Sequence, residues 1–179
     1  SAELINGFKR NVLWISNKEF NELQDNLKIS QRIKKVKNFR EKSKRKATKE
    51  LANEPYKFAE IRWKPSELTI IIPRVSSENR IYVPMGMADK STVISDSAMA
   101  IYDAPLWLLG LLESRMHMLW LKNIGGTLGT SFRYSATLIY NTFPVPELST
   151  RRKNEIEELI GNILDIREEE GGTLAELYG

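Results

Sequence analysis

Residues 104–121 are apolar on almost every helical face, interrupted by Glu113, Arg115 and His117. A helix apolar all round cannot lie on a surface, so the rest of the chain has to pack around it. Membrane spans need about 20 mostly apolar residues with few charges. The three polar interruptions point instead to a buried helix, predicted over residues 106–122. Asp103 is placed to cap it, Pro105 stands near its first turn, and Gly125-Gly126 stops it.

Around this helix the apolar period shortens toward two. Residues 68–75 and 80–85 read as strands joined by a hairpin-like Ser-Ser-Glu-Asn connection, with shorter strands at 12–15 and 92–95 and a return strand at 131–140. Pro73 and Pro84 cannot donate to a ladder and belong at strand ends, edges or bulges. A helix or turn is predicted at 17–27. Phe143-Pro-Val-Pro146 makes a rigid exit. A last helix at 151–170 places Ile156, Leu159, Ile160, Ile163 and Leu164 on one buried face. The predicted fold is α+β: a small, mostly antiparallel sheet on a central apolar helix, flanked by a basic helix and a C-terminal helix. Three regions are expected: 1–55, 56–148 and 149–179, in a chain of about one domain's length.

Charge is unevenly spread. Between Lys28 and Lys49 stand eleven basic residues against Glu41 alone, a net +10, while the rest of the chain carries 16 basic and 22 acidic residues, a net −6. Ile29, Ile33, Val36, Arg40, Ser43, Ala47 and Leu51 recur at helical steps through this block, and Pro55 ends it. So concentrated a charge of one sign matches a phosphate backbone, with Lys34, Lys35, Lys44, Arg45 and Lys46 as phosphate holders. The last helix has its charges reversed: Arg151, Arg152 and Lys153 lie at its positive end and Glu168, Glu169 and Glu170 at its negative end. Either exposed ends tolerate this, or Arg151 and Arg152 meet a phosphate.

No catalytic constellation is visible. With no cysteine there is no thiolate metal site, and the single histidine, His117, lies between Met116 and Met118 as a core residue. No Glu-x-Lys or Asp-x-Lys nuclease triplet occurs, and residues 125–129 are glycine-rich without the Gly-Lys-Ser/Thr of a phosphate loop. Asn141-Thr-Phe-Pro144 lacks the paired prolines of an amino-methyltransferase motif. Trp14, Trp107 and Trp120 read as core, and Trp63 is the candidate for an exposed role. The first residues show no secretory pattern and read as interior sequence of a longer protein; an intracellular, cytoplasmic location is expected.

Taken in order, several segments resemble the target-recognition region of MmeI-type DNA methyltransferases of bacterial restriction–modification systems. They are Asn6-Gly-Phe-Lys-Arg with Leu13-Trp14, the run from Ile72 to Gly86, Ile94-Ser-Asp-Ser-Ala98, His117-Met-Leu-Trp120, Phe132-Arg-Tyr-Ser135, Tyr140-Asn-Thr-Phe-Pro-Val-Pro146, and Thr173-Leu-Ala-Glu-Leu-Tyr178. The resemblance implies an upstream methyltransferase domain that binds S-adenosylmethionine, and in many relatives a nuclease domain; this chain itself would carry no cofactor, metal or catalytic residue. It also implies base reading in the major groove from loops 74–80, 96–97 and 129–133. The residues expected to read are Arg74, Ser76, Glu78, Asn79, Arg80, Asp96, Ser97, Ser131 and Arg133. Their side chains can match base edges, since Arg grips guanine, Asn grips adenine, and a carboxylate accepts from the cytosine amino group.

Double-stranded DNA and the upstream domain of the same polypeptide are thus the expected partners, with no membrane. A stand-alone RNA-binding or regulatory module is the alternative, and it would need Trp63, Tyr82, Phe132 and Tyr134 at the surface to stack bases. A protein-interaction domain, its basic helix meeting an acidic partner, is the third reading.

Overall fold

A computed structural model describes all 179 residues, which fall into two units: Arg10–Arg62, and Ser1–Lys9 together with Trp63–Gly179. The expected boundary at residue 55 lies instead at Arg62, and residues 149–179 pack into the larger unit. That unit opens with α1 (Ala2–Ile5). No helix is long and apolar enough to cross a membrane.

The smaller unit begins with α2 (Asn17–Leu23), started by a reciprocal cap: Glu19 N–H donates to Ser16 Oγ, and Ser16 N–H to the Glu19 carboxylate. Asn26 caps α3 (Leu27–Glu41) by accepting from the amides of Lys28 and Ile29. The basic helix predicted to run on to Leu51 breaks here. Ser43 Oγ takes the Arg45 amide, a local bond that competes with helix, and the chain turns back as α4 (Lys46–Glu50) and a 3-10 turn, Leu51–Asn53.

Arg40 accounts for the break. Its guanidinium donates to the carbonyls of Leu51 (2.9 Å), Glu54 (3.1 Å) and Lys57 (2.8 Å). In a continuous helix Leu51 would lie about 16 Å further along the axis, out of reach. The strand predicted at 12–15 has no ladder partner. Aromatic contacts hold the unit instead: Trp14 stacks on Phe58 and Phe20 on Tyr56.

In the larger unit β1 (Thr69–Pro73) is the centre of a three-stranded antiparallel sheet between β3 (Gly86–Ala88) and β4 (Ala98–Tyr102). All five of its residues are buried, as its unbroken apolar run requires. A second antiparallel sheet joins β2 (Val75–Ser76) to the hairpin of β5 (Gly126–Leu128) and β6 (Ser131–Arg133). The sheet is therefore two small sheets. The run 80–85 forms no strand: Val83, Pro84 and Met85 are buried as irregular chain, and the partner of β1 starts at Gly86. The strand predicted at 92–95 is also displaced, to β4.

The apolar run is two helices, α5 (Leu106–Leu112) and α6 (Arg115–Ile124). Ser114 restarts the helix by accepting the His117 amide. Asp103 is not the cap; it sits at φ 55, and Pro105 precedes the first turn. Leu109 and Leu121 lose all exposure in a core shared with Ile70, Ile72, Met85, Tyr134, Ile139 and Ile160. Strand β6 ends at Arg133, after which the Ser135 hydroxyl accepts the Leu138 amide and opens a π turn, Ala136–Tyr140. The chain closes with α7 (Thr150–Glu170) and α8 (Leu174–Tyr178).

Candidate nucleic-acid interface

Arg74 is the joint of the larger unit. The residue before it ends one sheet and the residue after it begins the other. Its amide donates to the Ser97 carbonyl at 3.4 Å, and its carbonyl accepts from the Tyr134 amide at 2.8 Å. Pro73 is paired with Ala98, and Val75 with Arg133. Backbone pairing thus brings together three stretches that are far apart in sequence: 74–80, 96–97 and 129–133.

Alternation along the second sheet decides which side chains face outward. Val75, Arg133, Leu128 and Ser131 share one face through the pairs Val75 with Arg133 and Leu128 with Ser131. Ser76 and Phe132 share the other. The β5–β6 hairpin turns in two residues, and Gly129 takes φ 62 at the first of them, a position where a side chain strains the backbone. The glycines of 125–129 therefore build a hairpin, not a phosphate loop.

Six of the predicted readers, Arg74, Glu78, Asn79, Asp96, Ser131 and Arg133, hold no side-chain hydrogen bond or ion pair within the chain. Arg74, Asn79, Asp96 and Arg133 are exposed, Glu78 and Ser131 half-buried. Asn79 stands in a turn closed by the Arg80 amide on the Ser77 carbonyl. The remaining three are committed elsewhere. Ser76 is only 3% exposed and faces inward, its hydroxyl without a partner, so it cannot present an edge to a base. Arg80 donates through Nε to the Gly179 carbonyl at 2.8 Å. Ser97 Oγ pairs with Ser95 Oγ at 2.8 Å.

In the smaller unit Lys34, Lys35, Lys44, Arg45 and Lys46 are all exposed and carry no ion pair. Lys34 and Lys35 ride on α3, Lys44 and Arg45 on the turn into α4, and Lys46 opens α4. Arg151 and Arg152, in the first turn of α7, both lie 3.6 Å from Glu155. That carboxylate offsets part of the charge reversal in the helix.

Sequence reasoning missed two arginines that serve the fold. Arg40 stood on the inward stripe of the basic helix, where a charge signals buried partners. Arg167 reaches Glu113, Met85 and Tyr178. Burial pushes the Glu113 carboxyl above its ordinary range while Arg167 pulls it back.

No group of three or more metal-ligating side chains exists. His117 is buried, donating from Nδ1 to the Leu112 carbonyl (2.7 Å) and accepting at Nε2 from Tyr134 (3.0 Å), with Phe143 edge-on at 4.6 Å. Phe143 belongs to the Asn141-Thr-Phe-Pro segment. Buried in this core, it cannot stack on a base.

The family model described as "MmeI, target recognition domain" matches residues 1–147. The chain is 54% identical over 178 residues to DNA methyltransferase A of Bacillus subtilis (strain 168), covering 99% of this chain and 20% of that protein. It superposes with a TM-score of 0.92 and 38% identity on the type IIL restriction–modification enzyme MmeI, solved in complex with DNA, over 98% of this chain and 24% of that one. The chain thus spans about a fifth to a quarter of the length of these relatives. It belongs to the MmeI target recognition domain family.

Proposed function

We propose that this chain is the sequence-reading part of a longer DNA methyltransferase of a restriction–modification system, working in the cytoplasm. The observation that carries the reading is the convergence on Arg74 of three loops in which Arg74, Glu78, Asn79, Asp96, Ser131 and Arg133 keep their polar side chains unengaged. Arg74, Asn79, Asp96, Ser131 and Arg133 read base edges from the major groove, with Glu78 beside them. Val75 and Leu128, apolar and on the same sheet face, suit thymine methyl groups. Lys34, Lys35, Lys44, Arg45 and Lys46, with Arg151 and Arg152 in support, hold phosphates and set position without reading sequence. S-adenosylmethionine and the transfer of a methyl group to a flipped base belong to an upstream domain of the same polypeptide.

The single-strand RNA reading is disfavoured by the aromatics it needs. Tyr134 is 2% exposed and bonded to His117. Trp63 donates its indole N–H to the Thr92 carbonyl at 3.0 Å, and Tyr82 and Phe132 are half-buried. The test is a competition titration of duplex DNA against single-stranded RNA at rising salt. Duplex preference with affinity falling steeply as salt rises is expected. Salt-independent binding, or preference for RNA, overturns the reading.

A further inference from the structure

Phe39 leaves 75% of its surface in solvent, more than any other aromatic residue of the chain. Single exposed apolar residues are common on protein surfaces, but the setting of this one is unusual. Helix α3 turns Ile29, Ile33 and Arg40 toward its own unit, and Phe39 lies about 100° around the helix from Arg40. There it ends a stripe with Lys28, Arg32 and Lys35, at steps of four, three and four. Val36, one turn back, is 38% exposed beside it.

Lys28, Arg32 and Lys35 are exposed and hold no ion pair. Glu41, the one acid between Lys28 and Lys49, lies on the other flank of α3, 4.0 Å from Lys37. Like charges at helical steps destabilise a helix, so this stripe is relieved only when anions lie against it. Its partner must also receive an apolar ring among those anions. The minor groove of duplex DNA does both: phosphates wall it, and apolar side chains flanked by Arg or Lys enter it as wedges. A helix is about 10–12 Å across and that groove about 6 Å wide, so α3 stays outside and a side chain alone reaches in.

We propose that Phe39 wedges between two base pairs from the minor groove of duplex DNA, while Lys28, Arg32 and Lys35 hold the phosphates beside it. This rests on the reading of the chain as a DNA-binding domain, and it adds a second source of specificity. A wedge unstacks and kinks the duplex. Its cost depends on the step it opens, and pyrimidine–purine steps open most readily. Phe39 therefore selects sequence through deformability, at a position where no side chain meets a base edge.

The test uses the full-length protein and duplexes it selects from a randomised pool, labelled at both ends for energy transfer. Phe39→Ala should weaken binding about tenfold, as loss of one aromatic–base contact does. It should keep the salt slope, reduce the bend by about 20° or more, and lose the preference for a pyrimidine–purine step. Phe39→Leu, also a wedge, should keep the bend and most of the affinity. Arg32→Ala should do the reverse of Phe39→Ala, lowering the salt slope by about 0.9 and leaving the bend. Since Phe39 is exposed, Phe39→Ala should unfold as the native protein does. Binding of Phe39→Ala within about twofold of native, the range of an idle surface residue, overturns the inference, as does an unchanged bend. Hydroxyl-radical protection of Phe39 before DNA is added overturns it too, because the ring then has another partner. Steeply salt-dependent duplex binding with a silent Phe39→Ala removes this inference alone. Absence of duplex binding removes the DNA reading with it.

Discussion

Arg167 and Glu113, 54 residues apart, form a two-pronged ion pair: Arg167 Nη2 lies 2.8 and 2.7 Å from the two carboxylate oxygens, and both side chains are largely buried. Each also serves the same backbone. Glu113 accepts the Met85 amide at 3.1 Å, and Arg167 Nη1 donates to the Met85 carbonyl at 3.2 Å. Met85 lies in irregular chain beside the first sheet, with no ladder to satisfy it, so the pair stands in for the missing strand. The Arg167 guanidinium also lies over the Tyr178 ring at 4.8 Å. The matched family region ends at residue 147, yet a residue of α7 completes its hydrogen bonding.

Arg167→Ala should therefore cost about 3–5 kcal/mol, because it strands a buried carboxylate and an unpaired carbonyl. Arg167→Lys should recover little of this, since one ammonium cannot reproduce the planar fork. Urea unfolding of the larger unit measures both. A loss below about 1 kcal/mol, the ceiling for exposed pairs, would contradict the buried geometry.

His117 makes stability depend on pH. Burial lowers its pKa from 6.5 to about 4, opposed by the hydrogen bond to the Leu112 carbonyl. The unfolded chain binds the proton more readily, so stability is complete above the unfolded value and falls as pH drops through 6.5 toward about 4. The full loss is on the order of 3 kcal/mol. Glu113, whose carboxyl is raised, opposes the trend at the acid end of this window. Chemical denaturation between neutral pH and pH 5 should show the slope in the native chain and lose it in His117→Gln, whatever that variant's absolute stability.

The position of His117 was readable because an apolar helix surrounds it in sequence as well as in space. The same holds for β1 and for the span of α7, although Leu159 and Ile163, expected on its buried face, are exposed. Breaks were harder to read. Ser43 and Ser114 look like ordinary helix residues in a pattern, and only the hydrogen bonds they accept show that a turn ends there. The pairing of β1 with β3 and β4, in place of the 80–85 run, depends on contacts across the chain that periodicity does not encode. Among the proposed readers, polarity could not separate Arg133 from Ser76: a strand two residues long carries too little alternation to tell its outward face from its inward one.

Gly110 carries a packing requirement that composition hides. Alanine gains about 1 kcal/mol over glycine inside a helix. Here its Cβ would lie 2.7 Å from Ile156 Cγ2 and 3.2 Å from Ile160 Cβ. Overpacking of this kind costs about 1–3 kcal/mol and forces α5 from α7. Gly110→Ala should lower thermal stability, while Gly161→Ala, with nothing within 4 Å, should raise it or leave it unchanged.

Arg40 and Lys35 sit within two turns of each other on α3 and should respond in opposite ways. Arg40→Ala removes three charge-assisted bonds to the returning segment and should destabilise the Arg10–Arg62 unit by at least about 2 kcal/mol. Lys35→Ala touches nothing and should leave unfolding within about 0.5 kcal/mol of the native chain. Circular dichroism through a urea titration distinguishes them. A neutral Arg40→Ala would mean that the turn after Glu41 holds without its clamp.

Position and reading should separate in the DNA-binding variants. Arg45→Ala should reduce the salt slope of duplex binding by about 0.9 while leaving sequence preference unchanged, as loss of one phosphate contact does. Arg133→Ala and Asn79→Ala should each relax preference at one base position by about 1–3 kcal/mol, with a smaller effect on the salt slope. Ser76→Ala is the internal control. Its hydroxyl is buried and unpartnered, so preference should stay as it was and stability should rise by about 1 kcal/mol. Selection from randomised duplexes, followed by anisotropy titrations at several salt concentrations, gives both quantities for each variant. Loss of preference in Ser76→Ala but not in Arg133→Ala would place the reading surface on the opposite face of the second sheet.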